Sequence, residues 1–271
     1  MAGVTFREAA RRKILWTALL AGIAFLALFA TALHFQNKDF RTSSVSPFIR
    51  YQVFAAMLQV GFYAVDLLAV IMTILTSVDT ISGEIASGTI QAIATKPISR
   101  WQVLIGKWMG FAGMVAAYVA AMFAGVSAVG YFIARVVPPN AFRGALLVYL
   151  ECLLVLTITL MFGTWFSTLT NGVIVLGMHG LAFIGGWMEQ IGSFAQSPRL
   201  VTVGVVSSLI MPSESVWRRA SYEMQSSLVR SMQFAPFSSS SAPSYSMIGY
   251  AIAYLLVALS IAIYRFNQRD L

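Results

Sequence analysis

Six apolar runs separated by shorter polar interruptions set the pattern of this chain. Residues 14–33 form an uncharged stretch of twenty, enough at about 1.5 Å per residue to cross about 30 Å of hydrocarbon. Five more spans are expected over residues 51–78, 103–134, 144–166, 172–188 and 247–264. The link at residues 167–171 is short, so the fourth and fifth helices should be antiparallel neighbours. Between the third and fourth, Val136-Val137-Pro138-Pro139-Asn140 reads as a turn, because paired prolines cannot continue a helix.

Two segments break this rhythm. The first, residues 79–102, is polar and lies between the second and third spans. Ile81, Ile85, Thr89 and Ile93 recur there every four residues, a narrow stripe suited to a short helix along the membrane surface. Lys96-Pro97 should end that helix, and Ser99 with Gln102 forms a capping-box pattern opening the third span. Glu84, Lys96 and Arg100 should then face the cytoplasm. The second segment, residues 189–246, holds an apolar piece, 199–211, too short to cross unaided and read as re-entrant or interfacial. After Pro212 and Ser213, Trp217, Ala220, Met224 and Leu228 fall at helical spacing, with Arg218, Arg219 and Glu223 off the stripe. That helix either lies amphipathically on the outer membrane surface or packs onto the bundle. Ser238 to Ser241, between Pro236 and Pro243, make a return into the last span.

Composition agrees with the pattern. Hydrophobic residues make up 58% of the 271 and charged residues 10%, against about a quarter in soluble domains. One membrane bundle over residues 1–271 is expected: all-α, six spans, both termini cytoplasmic, and an interfacial lead-in from Phe6 to Lys13. Ala30-Thr31-Ala32 resembles a signal-peptidase site, but the run around it exceeds a usual signal core of about 7–15 residues, which favours an uncleaved first helix. The net charge of +8 fits lipid headgroup contact, not nucleic-acid binding. With the N-terminus inside, Lys and Arg divide evenly between the two sides, and only the small weight of the long 189–246 loop tips the balance towards N-in, C-in. The single cysteine, Cys152, rules out an intrachain disulfide.

Ile81, Glu84, Gly88 and Thr89 fit Ile-x-x-Glu-x-x-x-Gly-Thr; Pro97-Ile98-Ser99-Arg100 and Gly106-Lys107 follow in order. Phe266 and Arg269-Asp270-Leu271 close the chain as Phe-x-x-Arg-Asp-Leu. In these features the chain resembles the permease subunits of ABC exporters of the second type. The six-span layout matches over essentially the whole chain, although the motifs cover only about a tenth of it. The resemblance implies a coupling segment docking a separate ABC ATPase, which would bind the ATP and Mg. It also implies pairing as a homodimer or with a related permease, short re-entrant helices between spans five and six, and the plasma membrane of a bacterium or archaeon. Ile81, Glu84, Gly88, Thr89, Pro97, Ile98, Ser99, Arg100 and Lys107 would be the coupling residues. The alternative is simply a charged loop of some other multispan protein.

The sequence contains no G-x-x-x-x-G-K-[ST] phosphate loop, and Gly106-Lys107 lacks both the upstream glycine and the following Ser/Thr. No catalytic constellation, cofactor motif or metal-binding pattern is present in it either. Asp66, near the middle of span two, would cost about 2.5–3.5 kcal/mol facing lipid, so it should face the bundle or a wet cavity. Glu151 has the same choice, with outward snorkelling as a third option. His179, between Gly177 and Gly180, reads as a packed histidine or a proton or metal site. Asp66, Glu151 and His179 are therefore candidate translocation-path residues, and Asp66 with Glu151 would be the coupling carboxylates of the rival, an ion-driven transporter or channel.

Overall fold

The computed structural model describes residues 13–86, 99–225 and 243–268. They form a helical bundle with no strand among the described residues, and six helices are long and apolar enough to cross a membrane. In chain order these are α1 (Lys13–Thr42), α2 (Pro47–Ser77), α4 (Arg100–Val129), α5 (Ala141–Gly163), α6 (Thr168–Phe194) and α9 (Tyr245–Gln268). A short α3 (Asp79–Ala86) continues α2 after Val78, and a π-helical turn (Gly130–Ala134) ends α4. Two further helices, α7 (Pro198–Ile210) and α8 (Ser213–Met224), stand between α6 and α9.

Burial ranks the spans. In α2 and α5, 61% of the most apolar window is inside the bundle, against 11% in α1 and 22% in α9. α2 and α5 are thus the two central helices, and together with α4 they carry most of the core, including Phe54, Phe62, Val65, Phe123, Leu154, Val155 and Ile158. The rim helices turn Leu20, Ile23, Leu28, Leu256 and Val257 outward. In water such a face would be a liability; in a bilayer it is the lipid-facing surface.

Local chemistry sets the ends. Ser46 caps α2 through a bond from the Ile49 amide to its Oγ at 3.4 Å, and Pro47 occupies the first turn, where a missing N–H costs nothing. The double-proline turn appears as expected: α4 ends at Ala134, Arg135 adopts the left-handed region at φ 58°, and α5 begins after Asn140 at φ 51°. Ser99 departs from the capping-box expectation. Its side chain makes no cap bond, and the Gln102 amide donates instead to the Ser99 carbonyl at 3.0 Å.

Helices begin earlier or run later than their apolar cores. The first extends to Thr42 because polar residues such as Asn37 bond across the bundle, Nδ2 to the Ile133 carbonyl at 2.8 Å. The link between α5 and α6 shrinks to residues 164–167, and the two helices pack together, although α6 packs more extensively on α7. Of the lead-in at 6–13, all but Lys13 lies outside the described residues.

The short apolar piece is helical, and α7 turns through 107° into α8. At 13 residues, α7 is about 20 Å long. It lies along α6 with Val203, Val206, Leu209 and Ile210 exposed, and α8 turns in from it and ends beside the start of α5, where Asn140 donates to the Glu223 carbonyl. Gly192 and Gly204 allow α7 to lie close on α6: a Cβ at Gly204 would sit 2.6 Å from the Gly185 carbonyl oxygen, and one at Gly192 2.7 Å from Leu200 Cβ. Of the two placements open for α8, packing onto the bundle is the observed one, not the outer membrane surface. Trp217, Ala220 and Met224 are buried, and so are the flanking Arg218 and Arg219. Counter-charges make this tolerable: Arg218 grips Glu189 of α6 in a two-pronged bond (2.6 and 3.1 Å), and Arg219 pairs with Glu223 at 2.5 Å. Leu228, the fourth residue of the stripe, lies outside the described residues.

Candidate functional site

Two polar assemblies interrupt this apolar bundle. The first is at the end where α2 passes into α3, α4 begins, and α5 hands over to α6. Here α3 sits in a notch whose floor is Gly163, where an added Cβ would stand 3.4 Å from Ile81 Cβ and 3.3 Å from Asn171 Nδ2. Ile81 fills the notch with no exposed surface, so its stripe faces the bundle at this residue and not the membrane surface.

Polar contacts bind α3 on either side. Asn171 of α6 donates from Nδ2 to the Val78 carbonyl (3.3 Å) and the Thr159 carbonyl (2.9 Å), joining α2, α5 and α6. Thr168 donates to Asp79 Oδ1 at 3.0 Å and shares a hydroxyl contact with Ser82 at 2.9 Å. From α4, Lys107 forms an ion pair with Glu84 and reaches the Thr80 carbonyl at 3.4 Å. Glu84 therefore does not face the cytoplasm as its polarity suggested; it turns onto Lys107, with only 15% and 10% of the two side chains exposed. Arg100 opens α4 and donates to the Asn267 carbonyl of α9 at 3.4 Å. Gly88, Thr89, Lys96, Pro97 and Ile98 lie outside the described residues.

The second assembly lies between the central helices. Asp66 of α2 and Glu151 of α5 are adjacent, both buried, with Glu151 at 0% exposure. Glu151 therefore does not snorkel outward. The first turn of α8 adds a third carboxyl, Glu214, within electrostatic reach of both. Among the described residues no Lys or Arg forms an ion pair with Asp66 or Glu151, whereas Glu214 has Arg218 nearby. Two ionised carboxyls side by side without a counter-charge would repel strongly in a low dielectric. His179 is not part of this pair: its Nδ1 contacts Ser213 Oγ at 3.1 Å, fixing the start of α8. Among the described residues no three His, Cys, Asp or Glu side chains are arranged to hold a metal ion.

The model of the family described as ABC-2 family transporter protein matches residues 2–271. The chain belongs to that family. It is a multi-pass ABC-2 permease, a class of membrane protein that works in transport. A search of curated proteins returns no match.

In the ABC-2 permease, the structure unites Ile81, Glu84 and Lys107 at one end and Asp66 with Glu151 in the middle. Ser99 and Arg100 stand apart from the ion pair, at the start of α4. Sequence reasoning missed Glu214, placed by its loop on the outer surface. An acid in the first turn of a helix, directly after an apolar piece too short to cross, was the available signal. It also missed Asp79, Thr168 and Asn171, polar residues at helix ends whose partners are 89 and 93 positions away in sequence.

Proposed function

We propose that this permease is the membrane subunit of an ATP-driven export system, energised by a separate ABC ATPase and working as a homodimer or with a related permease. Carrying this reading is the match to the ABC-2 family over residues 2–271, together with the ordered motif between the second and third spans. ATP and Mg would be bound by the partner, consistent with a sequence that contains no phosphate loop. The membrane is the plasma membrane of a bacterium or archaeon, with the α3 end and both termini cytoplasmic.

In this reading, ATP binding draws two ATPase subunits together. The segment at 79–102 moves with them, and the helices exchange inward for outward access. The permease contributes different affinities for substrate in its two states, not chemistry. Gly88, Thr89, Pro97, Ile98, Ser99 and Arg100 are assigned to the ATPase contact, and Asp66, Glu151 and Glu214 to the wall of the pathway.

One observation favours a second reading: adjacent Asp66 and Glu151 lack a basic partner among the described residues, as an ion-coupled transporter would require. Purification of the tagged chain from native membranes in mild detergent separates the two. An ATPase that co-purifies and supports ATP-dependent transport in liposomes is the expected result. A chain that purifies alone and transports without ATP, with loss on Asp66→Asn, overturns the exporter reading.

A further inference from the structure

Glu84 and Lys107 both belong to the motif that the exporter reading assigns to ATPase contact, yet the structure buries them against each other. An ion pair this sheltered offers little surface to a partner protein. Lys107 also reaches the Thr80 carbonyl, so a single ammonium group holds two points of α3, one helical turn apart, on α4. On the opposite flank, Thr168 and Asn171 hold Asp79, Ser82 and the Val78 carbonyl on the start of α6. Ile81 and Gly163 close the gap beneath, on α5. The short helix is thus fastened to three different spans and is continuous with a fourth, α2.

We infer that Glu84 and Lys107 are positioning residues: their buried ion pair latches α3 to α4, so that a push on the following loop moves the ends of α2, α4, α5 and α6 together. The inference rests on the exporter reading for the source of the push, while the latch itself is a property of this chain. A helix hinged only through α2 would yield alone. One pinned on both flanks transfers its displacement to the bundle. Glu84 and Lys107 act on the fidelity of transmission, and binding of the ATPase belongs to residues beyond them.

The test uses the full permease with its ATPase, reconstituted in liposomes. Glu84→Gln, Lys107→Met and the exchange Glu84→Lys with Lys107→Glu are compared with the unaltered chain. The single variants are expected to retain the ATPase on purification and to hydrolyse ATP, while losing at least tenfold in substrate moved per ATP. The exchange is expected to recover a substantial part of that ratio. A general loss of fold would lower ATPase retention and transport together and would not be rescued by reversing the charges.

A second readout does not depend on any ATPase. In a Cys152→Ser background, a cysteine at Thr80 is expected to react with a maleimide much faster in Glu84→Gln than in the parent, because Thr80 is buried while Lys107 holds its carbonyl and Glu84 on α4. Release of the ATPase by Glu84→Gln with unchanged Thr80→Cys labelling overturns the latch and makes Glu84 a partner contact. Equal labelling in all variants also overturns it. If no ATPase accompanies even the unaltered chain, the exporter reading fails while the labelling still decides the latch.

Discussion

The charged residues inside this bundle divide by whether an opposite charge accompanies them. Arg218 is buried and met by both oxygens of Glu189, at 2.6 and 3.1 Å. Removing one member of such a pair strands the other, at a cost of about 3–5 kcal/mol. Arg218→Met should therefore lower the thermal midpoint in detergent sharply, and adding Glu189→Leu should restore much of the loss. A drop that the second change leaves untouched would mean that Arg218 acts through packing alone. Asp66 and Glu151 behave oppositely because neither has a basic partner among the described residues. Glu151→Gln keeps the shape and removes one of two facing carboxyls, so stability should stay within about 1 kcal/mol of the parent or rise. A fall of several degrees would show an essential contact to that carboxyl.

Among the elements, the hairpin of α7 and α8 depends most on small side chains. A Cβ at Gly204 would crowd the Gly185 carbonyl oxygen at 2.6 Å, and backbone cannot step aside as a flexible side chain can. Gly204→Val should separate α7 from α6 and destabilise the protein by about 1–3 kcal/mol. Faster proteolysis between residues 195 and 212 would check this, and unchanged cleavage would contradict it. Most of the helices were legible in the sequence because hydrophobic length alone specifies a span. Their ends were less so. α1 continues to Thr42 through residues whose polarity would normally end an apolar run, because Asn37 is satisfied by a carbonyl 96 positions away. The sequence leaves the placement of α8 open for a related reason: Arg219 has a local partner in Glu223, but Arg218 is met by Glu189 on another helix, which no local pattern announces.

At the scale of the whole molecule, the motif order carried the family resemblance, the match over residues 2–271 shows the family, and the structure adds where Ile81, Glu84 and Lys107 lie. In the sequence, loop polarity turns Glu84 towards the cytoplasm, and the family resemblance makes Ile81, Glu84 and Lys107 coupling residues. Ile81 is drawn inward by a notch at Gly163 and Asn171, far along the chain, and Glu84 by its pairing with Lys107 on α4. Orientation in the membrane is open to direct measurement. With Cys152 changed to serine, a cysteine at Ser43 should react with an impermeant maleimide added outside intact cells. A cysteine at Ser167, on the α3 end, should react only after the cells are opened. The reverse pattern would invert the proposed orientation.

The 107° bend between α7 and α8 has a consequence for counting. α7 leaves the end of the bundle where α6 finishes. α8 brings the chain back to that same end, where Asn140, at the start of α5, donates to the Glu223 carbonyl at 3.4 Å. The hairpin therefore adds no crossing, and the total stays even. An even number sends residues 13 and 268 to the same face of the bilayer; straightening this one bend into a full crossing would put them on opposite faces. A single corner between Ile210 and Ser213 thus fixes the parity of the chain, and with it the face on which α9 ends beside Arg100.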